Sequence, residues 1–80
     1  MLRSNLNLRV EEVHVPESCG QRPLGDVKRR GEHFVIVAVR GGGAWEFNPS
    51  DAYLLAPGHI VIAMASPQGR AELEQALKSG

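Results

Sequence analysis

The sequence predicts a small α+β domain of order β–α–β–β–β–α, with a mainly antiparallel sheet and a C-terminal helix. Three observations carry that prediction. Two apolar runs of six residues, Phe34–Val39 and Ile60–Ala65, have the aliphatic, partly β-branched content of strands. A glycine run, Gly41-Gly42-Gly43, joins the first to a short alternating segment in the manner of a hairpin connection. The segment Pro67–Leu77 then takes a helical period, with Arg70, Leu73, Ala76 and Leu77 on one face.

In chain order, Leu6, Leu8 and Val10 alternate with polar residues, as in a half-buried strand. The alternation slips at Glu11 and Glu12, and Val13 and Val15 resume on the other parity. One extra residue is what a β-bulge supplies, so the first strand is expected to be bulged or bent and to end at Pro16. Pro16–Gly20 is a turn. Pro23 opens a helix of two turns, because its fixed φ suits the first helical position. Leu24 and Val27 share a core face, Lys28, Arg29 and Arg30 suit the helix's negative end, and Gly31 serves as its C-cap. Gly25 weakens this helix by about 1 kcal/mol relative to Ala.

Phe34–Val39 does not alternate with polar residues, so both of its faces should be covered. One face meets the domain's own core. The other is assigned to a second subunit, through Val35, Val37 and Val39. On the return strand Trp45 and Phe47 alternate with Ala44, Glu46 and Asn48. Asn48–Asp51 has turn chemistry, and Tyr53–Leu55 is extended. Pro57-Gly58 fits a type II turn, with Gly where positive φ is needed. After the strand Ile60–Ala65, Ser66 is an N-cap and Pro67 a first helical residue. Glu74 and Lys78 form an outward i, i+4 pair worth about 0.3 kcal/mol.

Length and composition narrow the function. Eighty residues make one domain, residues 1–80. A domain of this size buries only about 60% of its unfolded surface, so oligomerisation or membership of a longer chain is expected. With 42% hydrophobic and 22% charged residues, the chain has globular rather than disordered composition. Nine basic residues balance nine acidic ones, which lowers nucleic acid and anionic membranes as partners. The single cysteine, Cys19, excludes an internal disulfide and suits a reducing, cytoplasmic setting. Met1–Asn5 lacks the apolar core of a signal peptide, and runs of six apolar residues fall far short of the roughly 20 that cross a bilayer.

The candidate chemistry is thin. Cys19, His14, His33 and His59 are metal-ligand types, but their spacings match no tight zinc pattern, so neither a metal nor a cofactor is expected. An acyl-transfer site on Cys19 with His14 or His33 has little room for a substrate pocket, and the chain is expected not to be an enzyme. Arg40-Gly41-Gly42-Gly43 offers backbone N–H groups and a guanidinium to a phosphate. It lacks the Lys and Ser/Thr of a P-loop and no helix follows it, so a hairpin loop is the plain reading. Arg29 and Arg30 read as a solvated helix end. Trp45 and Phe47 are the residue types of a base-stacking platform. With no basic stripe around them, a core or dimer contact fits better.

The run Asn48-Pro49-Ser50-Asp51-Ala52-Tyr53-Leu54-Leu55-Ala56-Pro57-Gly58-His59-Ile60-Val61-Ile62-Ala63-Met64 resembles the signature of the RCK C-terminal domain, also called TrkA-C. That family regulates potassium channels and transporters from the cytoplasm. Upstream, Val13–Gly20 is similar to the family's strand, Pro and Ser-Gly segment, Leu24 and Val27 to its short helix, and Phe34–Arg40 with the Gly run to its central hairpin. The resemblance spans Val10 to Leu77. Three departures stand out. His59 takes the place of an Asp, Ala65-Ser66 replaces the Gly that often ends the next strand, and one additional residue separates Gly20 from Leu24.

The resemblance implies a cytoplasmic regulatory domain, homodimeric, forming the C-terminal part of a longer protein. An upstream nucleotide-binding lobe and a membrane pore or transporter subunit would be its partners. Some members of the family bind cyclic di-AMP between two C-terminal lobes, and the hairpin residues Arg40, Asn48 and Pro49 would border such a cleft. The implied mechanism is a population shift, in which a ligand or subunit rearrangement favours one lobe arrangement and biases a gate. Two readings from other classes are a β-rich, antitoxin-like DNA-binding dimer and a small metal-binding domain. Neutral charge and the absence of a basic stripe count against the first, and the histidine spacings against the second.

Overall fold

The computed structural model describes residues 7–78. Six strands and two helices follow in the order β1 (Arg9–His14), β2 (Arg22–Pro23), α1 (Leu24–Lys28), β3 (Phe34–Gly41), β4 (Ala44–Phe47), β5 (Leu54–Leu55), β6 (Ile60–Ala65) and α2 (Pro67–Lys78), with a 3-10 turn at Glu17–Cys19. A four-stranded sheet has the order β1-β6-β3-β4, and each neighbouring pair is antiparallel. The fold is therefore α+β with a mostly antiparallel sheet, as the apolar runs and hairpin signals predict. A second, two-stranded ladder pairs Arg22 with Leu55 and Pro23 with Leu54. The sequence shows Leu54-Leu55 only as extended chain, because two-residue strands carry no periodicity.

The core lies between one face of the large sheet and the helices. Val13, Ile36, Val39, Val61 and Ala63 supply the sheet side, and Leu24, Val27, Leu73, Ala76 and Leu77 the helix side. Leu24 and Val27 are fully buried, as their spacing predicts. Helix α1 is nevertheless one turn shorter than expected. Pro23 is its N-cap rather than its first helical residue, and Arg29, not Gly31, caps its C-terminus. Gly31 has another reason to be Gly: a Cβ there would run into the Phe34 ring. Gly25 is buried, and its N–H donates to the Asp51 carbonyl at 2.9 Å. Close approach of two backbones, rather than helix propensity, explains a glycine inside α1.

The expected bulge lies in a different strand. Strand β1 pairs with β6 without interruption, from Arg9 opposite Ala65 to His14 opposite Ile60. The slip at Glu11-Glu12 is a change in which face is apolar. Val10 points outward and is 71% exposed, while Glu11 turns toward α2 and forms an ion pair with Arg70. Glu11, and then Glu74 at 3.1 Å, hold the Arg70 guanidinium in its charged form by hydrogen bonding. Leu6, the first residue of the expected alternation, lies outside the described residues. The bulge itself is in β3, where Ile36 pairs with Ala63 and Ala38 with Ile62, leaving Val37 as the extra residue.

Helix α2 starts as its sequence predicts. The Ser66 hydroxyl accepts the Gly69 N–H at 3.1 Å, and Leu73, Ala76 and Leu77 face the core. Its outward pair is Arg70–Glu74 rather than Glu74–Lys78, because Arg70 is already drawn to that side by Glu11. Glu72 accepts the backbone N–H groups of Glu32 and His33 at 3.0 and 3.1 Å and pairs with His33 Nδ1 at 2.7 Å. It thereby fastens the loop before β3 to the helix. Among the described residues, no helix is long and apolar enough to cross a membrane.

Candidate functional site

Both helices cover the same face of the sheet, so the opposite face is open. The register shows what lies there. Val10 of β1, Met64 of β6 and Val35 of β3 stand side by side across three strands. Side chains opposite one another on neighbouring strands point to the same face. The three are 71%, 42% and 65% exposed. Farther along, Ile62 lies opposite Ala38, Ala38 opposite Phe47, and Arg40 opposite Trp45. Phe47 is 74% exposed and Trp45 45%. Glu12 and His14 of β1 border the same face, opposite Ile62 and Ile60. Isolated exposed hydrophobics are ordinary, but a row of exposed apolar side chains across three strands makes this face the candidate interaction surface.

The aromatic end of this face has its own order. Trp45 and Phe47 are two residues apart on β4, so they share a side, and their rings stack 13° from parallel with centroids 6.3 Å apart. The Arg40 guanidinium carbon lies 5.9 Å from the centre of the Trp45 ring, within cation–π range. Arg40, Trp45 and Phe47 thus form a flat, partly cationic shelf along the hairpin. At the other end, Leu8, Glu32, His33, Phe34, Val35, Met64 and Ser66 line an open groove of about 320 Å³, apolar but for its rim. That is the lower end of the size range for small-molecule sites, and a partner's apolar side chain suits it better than a ligand with phosphates.

Each residue expected at the site now has a place. Val35 and Val37 lie on the open face. Val39 does not: it is fully buried opposite Val61, because the bulge at Val37 turns the following residues over. Arg40 is exposed on the hairpin and joins the aromatic shelf. Asn48 is exposed too, in a left-handed conformation with φ 49°, and its N–H donates to the Val37 carbonyl at 2.8 Å. Pro49 is buried. Trp45 and Asn48 are three positions apart, about 10 Å of extended chain, and Arg40 lies with Trp45, opposite it on β4, rather than with Asn48 and Pro49. Val10 and Met64 were not among the expected site residues. Only the non-local pairing of β1 and β3 with β6 brings them beside Val35.

The remaining reactive side chains are scattered. Cys19 is buried, His14 is exposed near Glu12 at 3.6 Å, and His33 is held by Glu72. Among the described residues, no three His, Cys, Asp or Glu side chains converge as a metal site. His59 is half-buried in the corner before β6. No family model matches the chain, and no curated protein matches it.

Proposed function

We propose that this chain is a regulatory domain of the RCK C-terminal kind that works as a homodimer joined through the open face of its sheet. The observation that carries the proposal is the row Val10–Met64–Val35, continued by Val37 and the Trp45–Phe47 shelf, exposed on one side of an otherwise well-filled domain. Covering such a face returns about 25 cal/mol for each Å² of apolar surface removed from water. In a domain this small that is a substantial share of the stability. The resemblance of Asn48–Met64 to the family's signature supports cytoplasmic control of a potassium channel or transporter as the dimer's role. There the domain would be the C-terminal part of a larger protein with a nucleotide-binding lobe and a membrane subunit.

The shelf supplies the ligand part of the proposal. A purine can stack on Trp45 or Phe47, and the Arg40 guanidinium can meet a phosphate, which are the two needs of cyclic di-AMP. Asn48 borders the same hairpin from its far end. The chain would not catalyse a reaction. A ligand held between two shelves would favour one arrangement of the two copies, and that preference would bias the gate.

Sedimentation equilibrium tests the dimer. The wild-type chain should associate, and Val35→Asp should be monomeric with an unchanged circular dichroism spectrum. A clean wild-type monomer at high concentration sinks the proposal. Calorimetry with cyclic di-AMP tests the ligand: no heat from a folded dimer removes that part and leaves the dimer standing.

A further inference from the structure

His59 sits where the loop after β5 turns into β6, and its backbone is tied twice. Its N–H donates to the Ala56 carbonyl at 3.1 Å, and its carbonyl accepts the Val15 N–H at 2.9 Å. The ring folds back over the same turn, where Nδ1 lies 3.3 Å from the Ala56 nitrogen. A backbone N–H can only donate. Nδ1 is therefore an acceptor without a proton, and the neutral ring carries its proton on Nε2. The ring also rests against the end of β3. A Cβ at Gly41 would lie 2.6 Å from Nε2 and 2.8 Å from two ring carbons, so a side chain there would push the ring from its seat. The Tyr53 ring covers it from the preceding loop, with centroids 6.0 Å apart and planes tilted by 58°.

We infer that His59 is a pH-sensitive latch between the Ala56–His59 corner and the hairpin that carries Arg40 and Trp45. When neutral, the ring accepts from Ala56 and seats on Gly41. A second ring proton sets donor against donor at Nδ1, so the protonated ring leaves the Ala56 N–H and its seat on Gly41. Imidazole is the side chain whose charge ordinarily changes between about pH 5 and 8.

Among the described residues, none of the charged or titratable neighbours on the packed elements forms an ion pair with the His59 ring. Tyr53 covers the ring from the loop. On β3, Arg40 precedes Gly41 and lies over Trp45. On β1, His14 stands opposite Ile60, exposed and near Glu12. The other histidine ion pair, His33–Glu72, lies at the start of β3. What the released hairpin does to a ligand or partner rests on the regulatory reading above. The latch itself does not.

Nitrogen–proton spectra of the intact chain, recorded from about pH 8 to about pH 5, test it. The Ala56 and Gly41 amide signals should shift with the same midpoint as the His59 ring signals. His14→Gln and His33→Gln should leave that transition in place. His59→Asn, whose side-chain oxygen accepts a hydrogen bond but does not titrate, should abolish it. His59→Phe, with no acceptor, should place the Ala56 amide at its acid position throughout. The latch is overturned if the Ala56 amide stays flat while the His59 ring titrates, or moves equally in His59→Asn. These signals report on the corner in monomer and dimer alike, so failure of the latch and failure of the dimer are read separately.

Discussion

The two faces of the four-stranded sheet are built from the same few residue types and have opposite fates. On the inner face Ile36, Val39, Val61 and Ala63 are sealed beneath α1 and α2. On the outer face Val10, Val35, Val37, Met64, Trp45 and Phe47 remain exposed. The difference comes from connectivity. The connection from β2 to β3 carries α1, the chain after β6 carries α2, and both helices close over one side. Strand hydrophobicity therefore says that two faces want covering, while the path of the chain decides which of them the domain covers itself.

The sharpest way to break this comparison is to place one substitution on each face of β3. Val39→Asp puts an unpaired carboxylate into the sealed side and should cost at least about 3 kcal/mol, enough to unfold much of a domain this small. Val35→Asp, four residues away, should change the stability of the monomer by no more than about 0.5 kcal/mol. Urea unfolding at protein concentrations too low for association compares the two directly. Equal losses would mean that the faces are not distinct.

Gly41→Ala asks whether the open side's hairpin is anchored to the rest of the domain. Its methyl group would meet the His59 ring, and overpacking of this kind costs about 1–3 kcal/mol. The double variant Gly41→Ala/His59→Ala should lose much less than the sum of the single changes, because the obstacle is gone. Strict additivity would show that the ring is not what restricts position 41. A smaller loss, about 1 kcal/mol, is expected for Ser66→Ala, which removes the cap of the helix that seals the inner face. Thermal unfolding resolves it, and an unchanged midpoint would assign no weight to that cap.

What was legible in the sequence was local. Ser66-Pro67, the run from Leu73 to Leu77, the Gly42-Gly43 hairpin and the Pro57-Gly58 corner each announce themselves within a few residues. Gly58 has the positive φ, 90°, that a type II turn requires. What was not legible depended on pairing. The Glu11 ion pair with Arg70 spans 59 positions and made a regular strand look bulged. The bulge at Val37 is hidden inside an unbroken aliphatic run, so nothing in Phe34–Val39 shows that Val39 faces the core. For the same reason only two of the three valines assigned to a subunit contact, Val35 and Val37, are exposed on the open face. Val10 and Met64 join them only once β6 is known to lie between β1 and β3.

The smallest effect concerns the clasp at the edge where the two faces meet. Glu72 is held below the usual carboxylate range, first by its hydrogen bond with His33 and then by the backbone N–H groups of His33 and Glu32. A carboxylate whose folded pKa is depressed stabilises the fold above its unfolded pKa, and that contribution is lost as pH falls through the lower folded value. Glu72→Gln keeps an acceptor for the backbone amides and discards the charge. Wild type should therefore exceed the variant in stability around neutral pH, and the gap should narrow steadily on acidification through the carboxylate range. Because the clasp holds the loop leading into β3, the wild-type amide of His33 should also be better protected from hydrogen exchange than the variant's. A gap that stays constant as the pH falls would show that the carboxylate's charge is not what fastens the loop to α2.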